Sequence, residues 1–463
     1  MTAEATTTRH GSRGGLFVVA SLALGWSVLG FVPPGPLHAD EAVQWSLARE
    51  LSEGTPYSAH QDRFHGPTLA TTLLIIGKLT GTGLAEMSEH SLRSVVSVFL
   101  GLMAAAALIV PTAGKAPRIV TAAFIVLTGG CTPFGYYLVQ EMLLVAGFVW
   151  GVALWMRAEE SPATSRWRFL SGLAFGFALA CKVTAAAYLG CFFLALFCLR
   201  PPRGDRRWWG FALGLIFSWA FFQSVAFTDL AGLTSWWSQL ARALGVAGGY
   251  SADTLLAHSL VPWFLAVAWL VVFALARSGL AFADWRVRRP GDLPWLVAIM
   301  VLLFHGVLPY KTPWLLLLVF SLPLTLTLPD LLGGRGGRAV GLAAALVLIA
   351  WWARGPLADH SPTADLRPFV SGVERLARAD PDRFFIAIEG GHYWPLPYYL
   401  RRQRVGFGDF PQASQAPLRL IPAVDTSEPV VPGYAVSRLT LRAGGDAYWV
   451  LVAKDRESLF LGP

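Results

Sequence analysis

Apolar runs long enough to cross a bilayer recur along nearly the whole chain, and nothing else restricts its fold as much. A spanning helix needs about 20 predominantly apolar residues. The first such run, Leu16 to Val32, follows Arg9 and Arg13, is long for a signal-peptide core and lacks a small-x-small cleavage site, so it reads as an uncleaved first span. Further runs fall at approximately 92–111, 118–131, 141–156, 168–181, 183–199, 208–225, 258–276, 293–309, 313–329 and 338–353. The expected fold class is mainly α: a polytopic membrane protein of about eleven transmembrane helices with a long first outer loop and a small C-terminal α/β extracytoplasmic domain.

Composition agrees. Hydrophobic residues make up 54% of the 463, and charged ones 14%, against about 25% in soluble domains. The net charge of +8 does not point to nucleic acid, because the basic residues form short clusters between apolar runs rather than one continuous face. They read as topology signals: Arg9 and Arg13; Lys115 and Arg118; Arg157, Arg166 and Arg168; Arg200, Arg203, Arg206 and Arg207; Arg277, Arg286, Arg288 and Arg289; Arg335 and Arg338. Such clusters mark the cytoplasmic side, so the N-terminus is expected in the cytoplasm of a multi-pass plasma (inner) membrane protein, with the C-terminus outside. Cys131, Cys181, Cys191 and Cys198 lack zinc-site or disulfide spacing and read as core packing.

Two domains are expected, 1–354 in the membrane and 355–463 outside it. Within the first, an outer loop over 33–91 holds an amphipathic helix from Glu41 to Glu53, with Ala42, Trp45, Ala48 and Leu51 on one face and Gly54 as its stop. The run Pro67 to Leu79 is too short to span and reads as interfacial or re-entrant. Another outer loop, about 226–257, carries Trp236, Trp237, Gly248, Gly249 and Tyr250, with its aromatics at an interface belt. In the tail a helix near Pro368 to Ala379, a strand Phe384 to Ile388 and a hairpin of Ser437–Ala443 and Tyr448–Val452 are expected.

A charge at mid-bilayer costs about 2.5 to 3.5 kcal/mol on insertion scales, so polar residues beside apolar runs carry the functional signal. In this topology they gather on the outer face: His38, Asp40, Glu41, Asp62, Arg63 and His65 in the first loop, Gln140 and Glu141 at the start of one span, Lys182 between two spans, and Tyr310 and Lys311 between two more. Each has a plainer reading. Asp40 could cap the helix it precedes, a role worth about 1 kcal/mol. Glu41 suits a first helical turn, and Lys182 and Lys311 suit helix ends. His38 and His65 lack a third partner for a metal; a divalent metal is left open but not indicated. Tyr393, Trp394, Tyr398 and Tyr399 could form a sugar-stacking wall or a seam docking the tail, and the sequence weighs these equally.

The stretch from HADEA (38–42) to FHGP (64–67) resembles the first outer loop of the C-type glycosyltransferase superfamily, which includes the protein O-mannosyltransferases and the lipid A aminoarabinose transferases. With TPFGYYLVQEMLLV (132–145), ACKVTA (180–185), PYKTPWL (309–315) and YWPLPYYLRR (393–402), it is similar to the protein mannosyltransferase-like, flippase-activity-associated branch, in order along nearly the whole chain. In the superfamily the acidic residue after the first span is the catalytic base. The resemblance therefore implies that Asp40 is that base, Glu41 its neighbouring acid and Glu141 a second acidic position. VQEM stands where many relatives carry Arg then Asp, and ACKVTA lacks the Glu that commonly follows the Lys.

The resemblance implies an inverting, hexosyltransferase-type enzyme that moves a sugar from a polyprenyl phosphate to a glycan, lipid or protein hydroxyl in the cell envelope. Asp40 would take the acceptor proton, by analogy with the carboxylates of glycosidases. Lys182, Lys311 and Arg63 would hold the phosphate; Tyr310, His65, His38, Tyr393 and Trp394 would contact substrate. The rival expectations are a non-catalytic flippase-associated scaffold and a transporter component for lipid-linked glycans.

Overall fold

The computed structural model describes residues 35–59, 65–111, 114–130, 135–161, 163–199, 208–249, 266–268, 270–271, 292–308, 313–333, 362–391, 393–408, 410–424, 427–442 and 447–462. Described helices in chain order begin with α1 Ala39–Ser52, α2 Thr68–Thr80, α3 Glu89–Ala105 and α4 Lys115–Gly130. Then come α5 Gln140–Glu160, α6 Thr164–Cys181, α7 Thr184–Leu199, α8 Trp208–Gln223 and α9 Ala231–Gly249. After these lie α10 Leu293–Val307, α11 Leu317–Leu326, α12 Leu328–Gly333 and α13 Leu366–Ala379. The last elements are β1 Ile386–Ile388, α14 Leu396–Tyr399, β2 Val405–Phe407, β3 Leu418–Pro422, β4 Tyr434–Thr440, β5 Ala447–Ala453 and α15 Glu457–Leu461.

The chain is thus mainly helical with one small sheet, and it divides into two compact units. The first comprises 1–33, 54–73 and 91–355, the second 34–53, 74–90 and 356–463. Helices cover the apolar runs from 92 to 225 and from 293 to 329. The runs 16–32 and 338–353, and most of 258–276, lie outside the described residues. Glu89–Ile109 and Gln140–Glu160, at 21 residues each, are long and apolar enough to cross a membrane.

In the first unit, α6 and α8 meet almost backbone to backbone. A Cβ added at Gly172 would lie 2.1 Å from Phe211 O, one at Gly176 2.3 Å from Leu215 O, and one at Gly214 2.3 Å from Phe169 O. Gly172 and Gly176, like Gly210 and Gly214, are four apart on one helix face, the small-xxx-small pattern that lets helices approach closely in lipid. Aromatic rings pack the interior, Trp155, Phe175, Phe192 and Phe211 touching edge to face or tilted. Buried Arg168 lies over Trp155 (4.6 Å) and Trp208 (5.5 Å) and pairs with Glu159 at 3.0 Å. The outward surface is apolar too, with Leu102, Leu127, Leu194, Phe197, Leu213 and Ile216 all exposed, as a lipid surround requires.

Two local expectations are corrected here. Residues 231–249, read as outer loop, form helix α9. Of the cysteines read as core, Cys181 and Cys191 are buried but Cys198 is exposed on the apolar exterior; Cys131 lies outside the described residues.

The second unit is built on a five-stranded sheet of order β2-β1-β3-β5-β4. Strand β1 runs parallel to β2 and β3, while β3–β5 and β4–β5 are antiparallel. The antiparallel β4–β5 ladder matches the expected hairpin, and its turn at Gly444–Asp446 lies outside the described residues. Short β2 and β3 were not foreseen. Leu366, Phe369, Val373 and Leu376 of α13 cover the core with Phe460 of α15. The same unit takes in α1: Ala42, Trp45 and Ala48 of its expected apolar face are fully buried. Trp45 donates its indole N–H to Leu84 O (3.0 Å) and meets Tyr398 edge-on at 5.2 Å.

Candidate functional site

In the first unit the polar residues concentrate where three chain segments meet. Helix α5 starts at Gln140 after an extended Val139, which places Glu141 in its first turn. Helix α6 ends at Cys181, and Lys182 leaves it in an extended conformation (φ −159°, ψ 140°) before α7 begins. That break turns Lys182 toward Glu141: Nζ donates to Oε1 at 2.7 Å, with the side chains only 14% and 11% exposed. The other carboxylate oxygen, Glu141 Oε2, is buried without a hydrogen bond.

The third segment is His65–Gly66–Pro67. Gly66 N–H donates to Cys181 O at 2.8 Å, and the Gln140 side-chain amide donates to Gly66 O. A Cβ at position 66 would fall 1.7 Å from Ala180 O, so this contact requires glycine. The strap is held from its other side as well, since Tyr57 OH donates to His65 O and Gln239 donates to Tyr57 OH at 2.6 Å. Ser58 is tied to Asp229 by its N–H (2.7 Å) and hydroxyl (3.2 Å). Helix α9 and the turn before it therefore hold the segment that leads into the strap, Gln239 through Tyr57 and Asp229 through Ser58.

Beside the ion pair is a small cavity walled by Glu141, Lys182, Tyr188 and Trp314. The Tyr188 hydroxyl is 2.9 Å from His305 Nε2, both side chains buried. Sequence reasoning passed over these two. The signal was available, because His305 is an ionisable residue inside an expected span, a combination that by itself suggests function.

In the second unit, the acidic motif opens α1 differently from expectation. His38, not Asp40, is the N-cap. Asp40 N–H donates to His38 Nδ1 (3.2 Å) and His38 N–H donates to Glu41 Oε2 (2.8 Å), a capping box with imidazole in the usual Ser or Thr position. Glu41 is consequently fully buried. The Asp40 side chain, one residue earlier, is 55% exposed, with Oδ2 3.7 Å from His38 Nδ1.

Tyr393 and Trp394 lie in the same unit with rings 5.8 Å apart, and Tyr393 packs against Phe407 at 4.5 Å. Phe407, at the end of β2, is 38% exposed. Tyr398 and Tyr399 instead reach first-loop residues, the hydroxyl of Tyr398 donating to Met87 O at 3.0 Å. The aromatic segment thus splits, one pair forming the docking seam and the other a half-exposed cluster. Arg63, Asp62, Tyr310 and Lys311 lie outside the described residues. Among the described residues no three His, Cys, Asp or Glu side chains group as metal ligands.

No family model matches the sequence, and no curated protein matches it. Solved structures do match in shape. ArnT from Cupriavidus metallidurans bound to undecaprenyl phosphate aligns with a TM-score of 0.58 and 13% identity over 97% of this chain and 99% of that one. The oligosaccharyltransferase AglB from Archaeoglobus fulgidus, in complex with an inhibitory peptide and a dolichol-phosphate, aligns with a TM-score of 0.51 and 11% identity. That match covers 87% of this chain and 65% of AglB, so this chain spans about two thirds of the archaeal enzyme's length. The oligosaccharyltransferase of Archaeoglobus fulgidus in its apo form gives a TM-score of 0.50 and 10% identity over 89% of this chain and 66% of that one.

Proposed function

Because this chain has the fold of the C-type glycosyltransferases, we propose that it transfers a sugar from a polyprenyl phosphate to an acceptor hydroxyl at the outer face of a membrane. The observation that carries the reading is the buried Glu141–Lys182 pair strapped by Gly66. Two charges buried together cost several kcal/mol of desolvation each, and ionisable groups at a break between apolar helices suggest a functional position.

In the proposed reaction Asp40 accepts the proton of the acceptor hydroxyl as its oxygen forms a bond to the anomeric carbon. The bond from that carbon to the phosphate oxygen breaks, and polyprenyl phosphate leaves as an anion that needs no proton. Attack opposite the leaving group inverts the anomeric centre. The half-exposed Asp40 carboxylate suits a base that must meet its substrate, whereas Glu41 supports it by closing the helix cap. Lys182, Arg63 and Lys311 hold the phosphate charge, Lys182 being poised by Glu141. His38, His65 and Tyr310 position the donor sugar, and Tyr393 and Trp394, widened by Phe407, stack on the acceptor. The acceptor is a glycan, lipid or protein of the cell envelope. The N-terminus lies on the cytoplasmic side, the chain makes about eleven crossings, and the unit carrying the sheet lies outside.

The test is turnover of radiolabelled polyprenyl-phosphate hexoses in proteoliposomes by wild type and Asp40→Asn. Loss of a general base predicts a fall of about 10²–10⁴-fold. Equal turnover in the two proteins removes Asp40 from the role, and binding of polyprenyl phosphate without turnover in either one favours a carrier over an enzyme.

A further inference from the structure

Asp40 is only as well placed as the turn that carries it, and that turn is anchored from far away in sequence. Leu37, immediately before the N-cap, donates its N–H to the Tyr399 hydroxyl oxygen at 2.6 Å. The same hydroxyl donates its proton to Glu89 Oε1 at 2.6 Å. Glu89 Oε2 in turn lies 3.6 Å from the Arg367 guanidinium. One phenol thus joins the start of α3, the start of α1 and, through Glu89, helix α13.

The connection is rigid at each end. On the α1 side, Leu37 and Ala42 are fully buried and the capping box holds residues 38, 40 and 41. On the α14 side, Arg401 stacks over the Tyr398 ring at 4.1 Å and donates to Ala85 O at 2.8 Å. Trp45 closes the seam edge-on against Tyr398. Removing the Tyr399 hydroxyl takes the acceptor from the Leu37 N–H and one hydrogen bond from the Glu89 carboxylate, which keeps Arg367. Tyr398 also docks the tail, but onto Met87 O, which has no bond to the acidic turn.

We propose that Tyr399 is a positioning residue for Asp40, so that the segment around α14 holds in place the helix start that carries the base. The inference rests on the base role assigned to Asp40 above. Tyr399 touches no substrate in this scheme; it acts through the Leu37 amide on the helix start that presents the carboxylate.

The experiment uses the full-length protein in nanodiscs, with Tyr399→Phe, Tyr398→Phe, Glu89→Gln and Glu89→Ala. Amide hydrogen exchange over residues 37–41 is read beside turnover of the radiolabelled polyprenyl-phosphate hexose. Loss of one hydrogen bond predicts exchange about two- to tenfold faster in Tyr399→Phe. A matching fall in kcat is expected with the donor KM within about twofold, because ground-state binding is untouched. Glu89→Gln, which keeps an acceptor for the phenol, stays near wild type, and Glu89→Ala, which frees the phenol but keeps its bond from Leu37, falls between wild type and Tyr399→Phe. Tyr398→Phe lowers thermal stability without quickening exchange at 37–41. Unchanged exchange in Tyr399→Phe overturns the proposal, as does faster exchange with unaltered kcat. If wild type turns over no donor, the transfer reading fails by itself and the exchange measurement alone decides whether Tyr399 holds the turn.

Discussion

Lys182 donates to Glu141 across 2.7 Å where α6 breaks before α7, and both side chains are nearly sealed from water. A buried pair of this kind is tolerated as a pair and penalised as a single charge. Lys182→Met should destabilise the protein by about 3–5 kcal/mol, because it strands the Glu141 carboxylate. Glu141→Gln combined with Lys182→Met should recover much of that loss, giving a coupling well outside additivity. Thermal unfolding of the four proteins of the cycle in one detergent measures it. Additive losses would mean that the two groups do not depend on each other.

Helices α6 and α8 give a second expectation. Added carbon at Gly172 or Gly176 meets carbonyl oxygen of the facing backbone, which cannot rotate away as a side chain could. Gly172→Val and Gly176→Val should each cost at least the roughly 1–3 kcal/mol of an overpacked core and lower the yield of folded protein. Gly190, with nothing within 4 Å of an added Cβ, is the control, and Gly190→Val should be near neutral. Melting temperatures in detergent separate the three.

These results mark what was legible in the chain. Helices α3 to α8 were readable because long apolar runs between charges leave few alternatives, and the Ala42, Trp45 and Ala48 face of α1 because a 3.6-residue period survives in one sequence. Helix α9 was not, since its tryptophans read equally well as an interface belt. At the acidic motif, Asp40 is the usual capping type and His38 is not, so the sequence favoured the wrong residue. The imidazole prevails because Glu41 closes back on the His38 amide, a reciprocal bond that spacing permits but cannot announce. Strands β2 and β3 are three and five residues long and pair in parallel across long connections, beyond the reach of local alternation. Tyr399 could not be separated from Tyr393, because what distinguishes them is a partner some 310 residues away.

The second unit should lose stability at both ends of the pH scale, for opposite reasons. Asp380 is held below its usual value of 3.8, first by its hydrogen bond to Arg456. A carboxylate depressed in the folded state contributes stability that is present above the unfolded value and disappears as pH falls through the folded one. Tyr399 is pushed up from 10, first by burial and then by Glu89. Its contribution is complete below pH 10 and is lost as the pH rises beyond that, where only the unfolded phenol ionises. Asp380→Asn should flatten the acid limb below about pH 4 and Tyr399→Phe the alkaline limb above about pH 10, as read by tryptophan fluorescence against pH. An unaltered limb in either variant removes that group from the linkage.

Gly66 offers the sharpest separation of fold from function. Its amide and carbonyl are engaged by Cys181 O and the Gln140 amide, and its missing side chain is what lets the strap lie on the end of α6. Gly66→Ala cannot keep that contact, so residues 65–67 must lift from Ala180, carrying His65 and the start of α2 away from Glu141. The helices beneath are held by contacts remote from this site, including the α6–α8 glycine contact. The expected result is therefore a modest stability change, about 1–3 kcal/mol, beside a loss of turnover on the order of 10²-fold, the penalty of misplacing a positioning element by an ångström. Gln140→Ala, which frees the strap on one side without forcing it up, should fall between Gly66→Ala and wild type. Turnover in Gly66→Ala that falls only in proportion to its folded fraction would show that the strap serves stability alone.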